Sequence, residues 1–370
     1  MTRSLLGVHP LKGRGAATNA TGRFEALTVE RYDDDWYRED PPAQIGETVL
    51  PDRARSLITT NDSPDIGFEA SINPYRGCSH GCIYCFARPS HAYLGLSPGL
   101  DFETKLFYKA DAVAVLEAEL ARPRYVCKPI ALGINTDGYQ PLEKQLEVTR
   151  SILEVLVRCR HPVSIITKSA LILRDLSLLQ TLARDRLVSV MLSITSLSDN
   201  SKRTLEPRTA SPAARLRVVR ELSQAGVPCG VMVAPVIPAI TDHEMEAILT
   251  AAAEAGASSA GYVLLRLPHE IKQLFREWLA EHYPDRAKHV MSLIQQARGG
   301  KDYDSRFGHR LRGTGPYANL LRTRFELATR KLGLASSGDR HRLETGLFRP
   351  PSRTGGSGPV AGDSQLSLGL

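Results

Sequence analysis

The sequence predicts an α/β protein built on a parallel sheet of βα units. Three observations carry this. Six short apolar or β-branched runs recur between residues 69 and 265, and longer stretches with helical spacing separate them. Runs such as Val231-Met232-Val233-Ala234 are also continuously apolar, as in strands covered on both faces. Alternation by itself fits an open doubly wound sheet as well as a closed or partial barrel.

Taken in order, residues 1–66 are polar, net acidic and punctuated by Gly13, Gly15 and the Pro41-Pro42 pair. They read as an N-terminal extension, partly disordered or wrapped over the core. Strands are expected at 69–73, 130–135, 163–167, 187–194, 228–234 and 261–265, and helices at 110–121, 142–158, 171–185, 213–225 and 243–255. Two of these helices run into glycine stops, Gly226 and Gly256. The core therefore spans 67–270. A helical, basic segment is expected over 271–334. The Gly-, Ser-, Pro- and Arg-rich residues 335–370 read as a disordered tail.

The 370 residues are 42% hydrophobic and 24% charged, which suits a full-sized soluble core. The most apolar stretch, 231–240, is broken by two prolines and is far short of a membrane span of about 18 residues. Residues 1–10 lack a signal-peptide core, so a cytoplasmic location and no membrane partner are expected. The net charge of +7 is mild, but residues 298–331 carry nine Lys or Arg against three Asp or Glu. With Tyr303, Phe307, Tyr317 and Phe325 interleaved, that segment reads either as a site for a polyanion such as DNA or RNA or as a solvated helical face with packing aromatics.

Chemistry concentrates in the cysteines. Cys78, Cys82 and Cys85 stand at Cys-x-x-x-Cys-x-x-Cys spacing directly after the first expected strand, in a loop containing Gly77 and Gly81. Thiols grouped this way in a reducing compartment favour metal over disulfide, and thiolates select zinc or iron–sulfur clusters. Three local thiolates would leave one iron of a four-iron cluster open. A zinc site completed by His80 or His91 is the rival, but no second pair of ligands at zinc-module spacing exists. Cys127, Cys159 and Cys229 are scattered and read as small buried hydrophobes.

The triad, Tyr84 before its third cysteine and its position after strand one resemble the radical S-adenosylmethionine superfamily. Further segments resemble its spore photoproduct lyase-related branch: Asn135-Thr136-Asp137-Gly138-Tyr139-Gln140-Pro141, Ile166-Thr167-Lys168-Ser169, Leu192-Ser193-Ile194-Thr195, Glu206-Pro207-Arg208 and Ala234-Pro235-Val236-Ile237-Pro238. The resemblance implies a partial (βα)6 TIM-type barrel. It also implies a 4Fe-4S cluster on Cys78, Cys82 and Cys85, and an open iron that binds the amino and carboxylate groups of S-adenosylmethionine. One-electron cleavage of the sulfonium would then give a 5′-deoxyadenosyl radical, with a flavodoxin or ferredoxin as electron donor. By the same resemblance Thr136, Asp137, Lys168 and Ser193 face the cofactor, Tyr84 packs near the adenine, and Tyr139 and Gln140 sit at the mouth toward substrate. Each Ser, Thr or Asp could alternatively cap the next helix. The lyase's hydrogen-donating cysteine on strand two has no counterpart, since the matching stretch is Gly133-Ile134-Asn135.

The last residues, Ser364-Gln365-Leu366-Ser367-Leu368-Gly369-Leu370, resemble the peptide by which bacterial repair proteins bind the polymerase sliding clamp. In that mode Gln365 hydrogen-bonds while Leu366, Leu368 and Leu370 supply apolar contacts. Together these features favour a radical enzyme acting on nucleic acid, in a DNA repair-like role. Two alternatives stand beside it: the same chemistry on a peptide, protein or small metabolite, and a non-catalytic metal-binding adaptor docked on nucleic acid or the clamp.

Overall fold

The computed structural model describes residues 13–24, 46–336 and 343–351. Its strands are β1 (Thr48–Pro51), β2 (Ile58–Thr60), β3 (Ala70–Ile72), β4 (Tyr75–Arg76), β5 (Lys105–Tyr108), β6 (Ile130–Leu132), β7 (Val163–Thr167), β8 (Val188–Ser193), β9 (Cys229–Val236), β10 (Ser259–Leu264) and β11 (Ala335–Ser336). Six of them, β3-β6-β7-β8-β9-β10, pair in parallel and in chain order, as a βα barrel requires. The curved sheet stays open. Antiparallel β2 closes one edge beside β3, and parallel β11 closes the other beside β10. This is the mixed α/β, partial TIM-type architecture that the sequence implied. A small second sheet, β1-β5-β4, lies at its side.

The physical basis is burial on both faces. β8 and β9 are buried at nearly every position, because the barrel interior takes one set of side chains and the outer helices the other. Leu182, Val218, Leu222, Ile248 and Leu249 on those helices pack into one core with Val190, Leu192, Val231 and Val233. Ser211 caps the helix Pro212–Gln224, its hydroxyl accepting from Ala214 N, with Pro212 in the first turn.

Several elements differ from expectation for identifiable reasons. β6 ends three residues early because Gly133 turns the chain at φ +81°. The helix expected over 142–158 breaks at Glu147 (φ 50°) into Glu143–Leu146 and Val148–Arg158. Buried Glu143 caps the second piece, accepting from Thr149 N at 2.9 Å and Arg150 N at 3.2 Å. The helix expected over 171–185 opens as a 3-10 turn, Ala170–Asp175, before Leu176–Arg184. Its buried Asp175 binds Arg150 and Arg174.

The C-terminal region is helical at Ile271–His282, Ala287–Gln296 and Gly315–Leu332, with an irregular crossing at 297–314. Several of its basic residues are committed to contacts within the chain. Arg298 is buried and donates to the carbonyls of Leu264, Leu265 and His309. Arg310 pairs with Asp65, Arg306 with Asp304 and Arg324 with Glu246. Phe325 is core, and Tyr317 donates to Asp242. Four of the nine Lys or Arg at 298–331 are thus engaged within the chain, which favours the packing reading of this segment over the polyanion one.

The tail also departs from expectation. Ala335–Ser336 form β11, and residues 343–351 dock on the barrel, Phe348 packing between Tyr125 and His161. The clamp-like peptide with Gln365, Leu366, Leu368 and Leu370 lies outside the described residues. Cys159 and Cys229 are buried as expected, whereas Cys127 is half-buried. Among the described residues no helix is long and apolar enough to cross a membrane.

Candidate active site

The loop from β4 to the turn Arg88–Leu94 carries Cys78, Cys82 and Cys85 at the C-terminal end of the barrel. Cys78 and Cys82 are buried and Cys85 is half-buried. Backbone bonds tie this loop down: Cys78 N to Phe102 O at 2.9 Å, Ile83 N to Leu205 O at 3.1 Å and Cys85 N to Cys82 O at 3.2 Å. Gly81 adopts φ +69°, and a Cβ there would meet Glu103 Oε2 at 2.8 Å. The turn therefore excludes larger residues.

A buried ion pair anchors the loop from behind. Arg88 Nη2 reaches Glu103 Oε1 at 2.5 Å with both side chains fully buried, and Arg88 Nε donates to Cys82 O at 2.9 Å. The same carboxylate accepts from the backbone of Gly15 (3.1 Å) and Ala16 (2.9 Å). Residues 13–24 of the N-terminal extension are thus wrapped over the core, one of the two readings the sequence offered, and they form part of the wall of the site. Only the Gly13-Arg14-Gly15 run hinted at so close an approach.

The remaining candidates fall into two groups. Thr136 and Asp137 are spent on the protein itself. Thr136 Oγ1 donates to Tyr75 O at 3.0 Å. Asp137 Oδ1 accepts from Tyr139 N (2.9 Å) and Thr167 Oγ1 (2.7 Å), and Oδ2 from Lys168 N (2.7 Å). Asp137 also faces His80 Nδ1 at 3.4 Å, and burial holds that imidazole below its usual pKa. Lys168 and Ser193, at the ends of β7 and β8, differ. Among the described residues the Lys168 ammonium and the Ser193 hydroxyl have no hydrogen-bond or ion-pair partner; the ammonium lies 5.9 Å from the Tyr84 ring centroid.

Tyr139 and Gln140, expected toward substrate, are both fully buried. Tyr139 belongs to the main core. Gln140 stitches the cysteine loop, accepting from Ser79 N at 2.9 Å and donating to Gly77 O at 3.3 Å. Full burial moves both away from the substrate role expected of them: Gln140 supports the cysteine loop and Tyr139 packs in the core. A loop folded back on the barrel needs its buried backbone groups satisfied, and Gln140 satisfies two of them.

Beneath the loop lies a network that the sequence did not resolve. The Tyr84 hydroxyl donates to buried Glu206, which is paired with buried Arg215; Thr195 donates to Glu206 Oε1 at 2.7 Å. Burial disfavours the Glu206 carboxylate, but Arg215, Lys168 and the Arg215 and Tyr84 hydrogen bonds outweigh it and hold its pKa at about 2. Burial and the Glu206 charge push the Tyr84 phenol far upward, so it remains a neutral donor.

Burial keeps the Cys78 and Cys82 thiols protonated in the absence of a metal. Burial, then the Asp137 charge, raises Cys78 to about 12, and burial with Glu206 pushes Cys82 well above its usual value. A bound metal would offset that desolvation and convert them to thiolates. Ser79 Oγ, beside Cys78, is buried without a partner. Among the described residues no three His, Cys, Asp or Glu side chains form a metal-holding group. Nor are the zinc rival's histidines poised: His80 faces Asp137, and His91 Nε2 bonds Lys105 O at 2.9 Å. A four-iron cluster held by three thiolates keeps one iron open, and a single loop with three thiols at these spacings can supply those three.

Residues 72–252 match the radical SAM superfamily. An uncharacterised protein of Mycobacterium tuberculosis is 38% identical over 231 residues, 62% of this chain and 68% of that protein. One from Methanocaldococcus jannaschii is 27% identical over 64% of this chain and 84% of its own. Among solved structures, spore photoproduct lyase complexed with dinucleoside spore photoproduct shares the fold at TM-score 0.55 and 17% identity, over 78% of this chain and 81% of that one. A mutant of the same lyase with bound AdoMet and dinucleoside spore photoproduct matches at TM-score 0.56 and 16% identity, over 82% and 87%.

Proposed function

Because this chain belongs to the radical S-adenosylmethionine superfamily, and is thereby a radical SAM enzyme using a 4Fe-4S cluster and S-adenosylmethionine, we propose that Cys78, Cys82 and Cys85 hold its cluster and that its substrate is a nucleic acid. The observation that carries the ligand assignment is the single loop of three thiols beside the unengaged Lys168. When bound, the two cofactors supply one-electron reductive cleavage and hydrogen-atom abstraction, with a flavodoxin- or ferredoxin-like reductant as source of the electron.

The chain's own residues position and shield. Lys168 presents a point cation for the carboxylate of S-adenosylmethionine, and the Ser193 hydroxyl a hydrogen bond for its polar groups. Asp137 acts one step removed: by holding Thr167 and the Lys168 backbone it aims the lysine. Thr136 holds the backbone of Tyr75 in the strand before the cysteine loop. The neutral Tyr84 phenol, fixed by Glu206 and Thr195, keeps its ring beside the Lys168 ammonium.

The nucleic-acid reading draws on the fold shared with a lyase that binds a dinucleoside lesion. Gly133, Ile134 and Asn135 offer no thiol hydrogen donor, so the reaction differs from spore photoproduct reversal. The test is anaerobic reconstitution with iron and sulfide, then reduction with S-adenosylmethionine present. Four irons per chain and 5′-deoxyadenosine are expected, with iron lost in Cys78→Ala, Cys82→Ala and Cys85→Ala. Deuterium from labelled DNA should enter 5′-deoxyadenosine. Transfer from labelled peptide instead would move the substrate class, and stoichiometric zinc would remove the cluster assignment.

A further inference from the structure

Four aromatic rings are exposed among the large hydrophobic side chains of the described residues: Phe24 (58%), Phe86 (39%), Tyr93 (70%) and Phe307 (54%). Each has a guanidinium over it. Arg23 lies 5.4 Å from the Phe24 centroid and 5.7 Å from that of Tyr93, Arg266 lies 4.9 Å from Phe86, and Arg310 lies 4.7 Å from Phe307. Three of these rings flank the cysteine loop. Phe86 follows Cys85 directly, and Tyr93 lies in the turn Arg88–Leu94 that comes next. Phe24 comes from the N-terminal extension and meets Tyr93 at 5.1 Å between centroids, tilted by 35°.

The arginines fix these rings to the barrel mouth. Arg23 Nε pairs with Glu270 at 2.9 Å, and its Nη2 reaches Pro89 O at 3.4 Å, so it joins the segment after Cys85 to the one after β10. Arg266, just past β10, donates to Tyr303 Oη at 3.3 Å. Among the described residues it has no carboxylate partner, and its Nε is buried without an acceptor. A half-buried guanidinium without a counter-charge is costly unless an anion completes it. Flat rings each overlaid by a guanidinium form no continuous apolar patch of the kind a protein partner covers. They offer π-faces for stacking and a cation for a phosphate.

We propose that the Phe24–Tyr93 pair and the Phe86–Arg266 pair form a base-stacking and phosphate-binding platform for a single-stranded or locally opened polynucleotide at the mouth of the barrel. The platform rests on the nucleic-acid reading above and names the surface that delivers the strand to the cysteine loop. A stacked base on Phe24 or Tyr93 would lie beside the turn that begins at the cluster loop, and Arg266 would take the phosphate of a neighbouring nucleotide.

The test is fluorescence anisotropy of a labelled single-stranded oligonucleotide of about 12 nucleotides with the full, reconstituted chain. The doubly substituted Phe24→Ala, Tyr93→Ala protein should bind roughly tenfold more weakly, the value of one lost stacking contact. The ring-keeping Phe24→Tyr, Tyr93→Phe protein should bind as the parent does. Arg266→Gln should weaken binding and reduce the salt slope by about 1. Parental affinity in all these variants would overturn the platform while leaving the nucleic-acid reading intact. Failure of the parent chain to bind any oligonucleotide would defeat that reading itself. Variants that bind oligonucleotide normally but accept electrons poorly from flavodoxin would reassign the surface to the electron donor and overturn the proposal.

Discussion

At the scale of single residues, charge burial decides which side chains are free to act. His161 illustrates the cost far from the site. It is fully buried, with Nδ1 donating to Pro162 O at 3.0 Å and Nε2 accepting from Tyr125 Oη at 2.7 Å. Burial lowers its pKa to about 4, the Pro162 bond opposing that shift. The neutral form is therefore the folded form. Its contribution to stability is complete above pH 6.5 and is lost as pH falls from there to about 4, up to about 3 kcal/mol. Urea midpoints measured across that window should fall steeply in the parent and less in His161→Phe. Phe348→Ala, which uncovers one face of the imidazole, should raise its pKa toward 6.5 by NMR titration. The same accounting at the active site leaves Lys168 and Ser193 available. Thr136 and Asp137, although equally suited by residue type, are already satisfied by the chain.

At the scale of elements, the segment 13–24 behaves as a strap across the cysteine loop. Gly15 is its closest approach: a Cβ there would stand 1.8 Å from Gly81 O, which no relaxation of a side chain can relieve. Asn19 and Thr18 continue the contact, Asn19 Oδ1 accepting from Asp101 N at 3.0 Å and Thr18 O from Leu100 N at 3.2 Å. Gly15→Ala should lift the strap and forfeit the two amide bonds to the Glu103 carboxylate, a local loss of about 2 kcal/mol. Hydrogen exchange should show Gly15-Ala16 protection falling while β7 to β9 remain protected. Iron bound by the variant should also be lost faster in air, since the strap covers the loop that carries the thiols. Unchanged protection at residue 16 would contradict this account.

At the scale of the whole molecule, the basic C-terminal region closes the fold more than it advertises for a partner. Asp65, in the connection between β2 and β3, takes Arg310 at 2.6 Å and Gly308 N at 3.1 Å, tying the first-strand side of the open sheet to the crossing that covers β10. Arg298 fills the same role internally through its three carbonyls. Arg298→Met leaves those acceptors unpaired and should destabilise the protein by about 1–3 kcal/mol in urea unfolding. The salt slope of oligonucleotide binding should not change. A changed slope at unchanged stability would return this segment to the nucleic-acid interface.

The sequence by itself determined the parallel βα sheet, and through its family resemblance the partial barrel and the chemical class. Strand periodicity and continuous apolar runs are local signals, and the 163–167 strand is found where the pattern put it. The three cysteines are equally local, since all sit on one loop. What only the tertiary structure decided is which polar groups are already paired. Tyr139 and Gln140 occupy a motif that seemed to point outward, yet the chain buries Tyr139 in the main core and bonds Gln140 to the cysteine loop. The basic run at 298–331 reads as a charged surface until Asp65, Glu246 and the carbonyls after β10 come from distant positions to neutralise or bind it. Nor does local sequence join Phe24 to Tyr93 or Arg266 to Phe86. Pattern reports what a residue can do, whereas pairing depends on groups brought together across the fold, and so on tertiary structure alone.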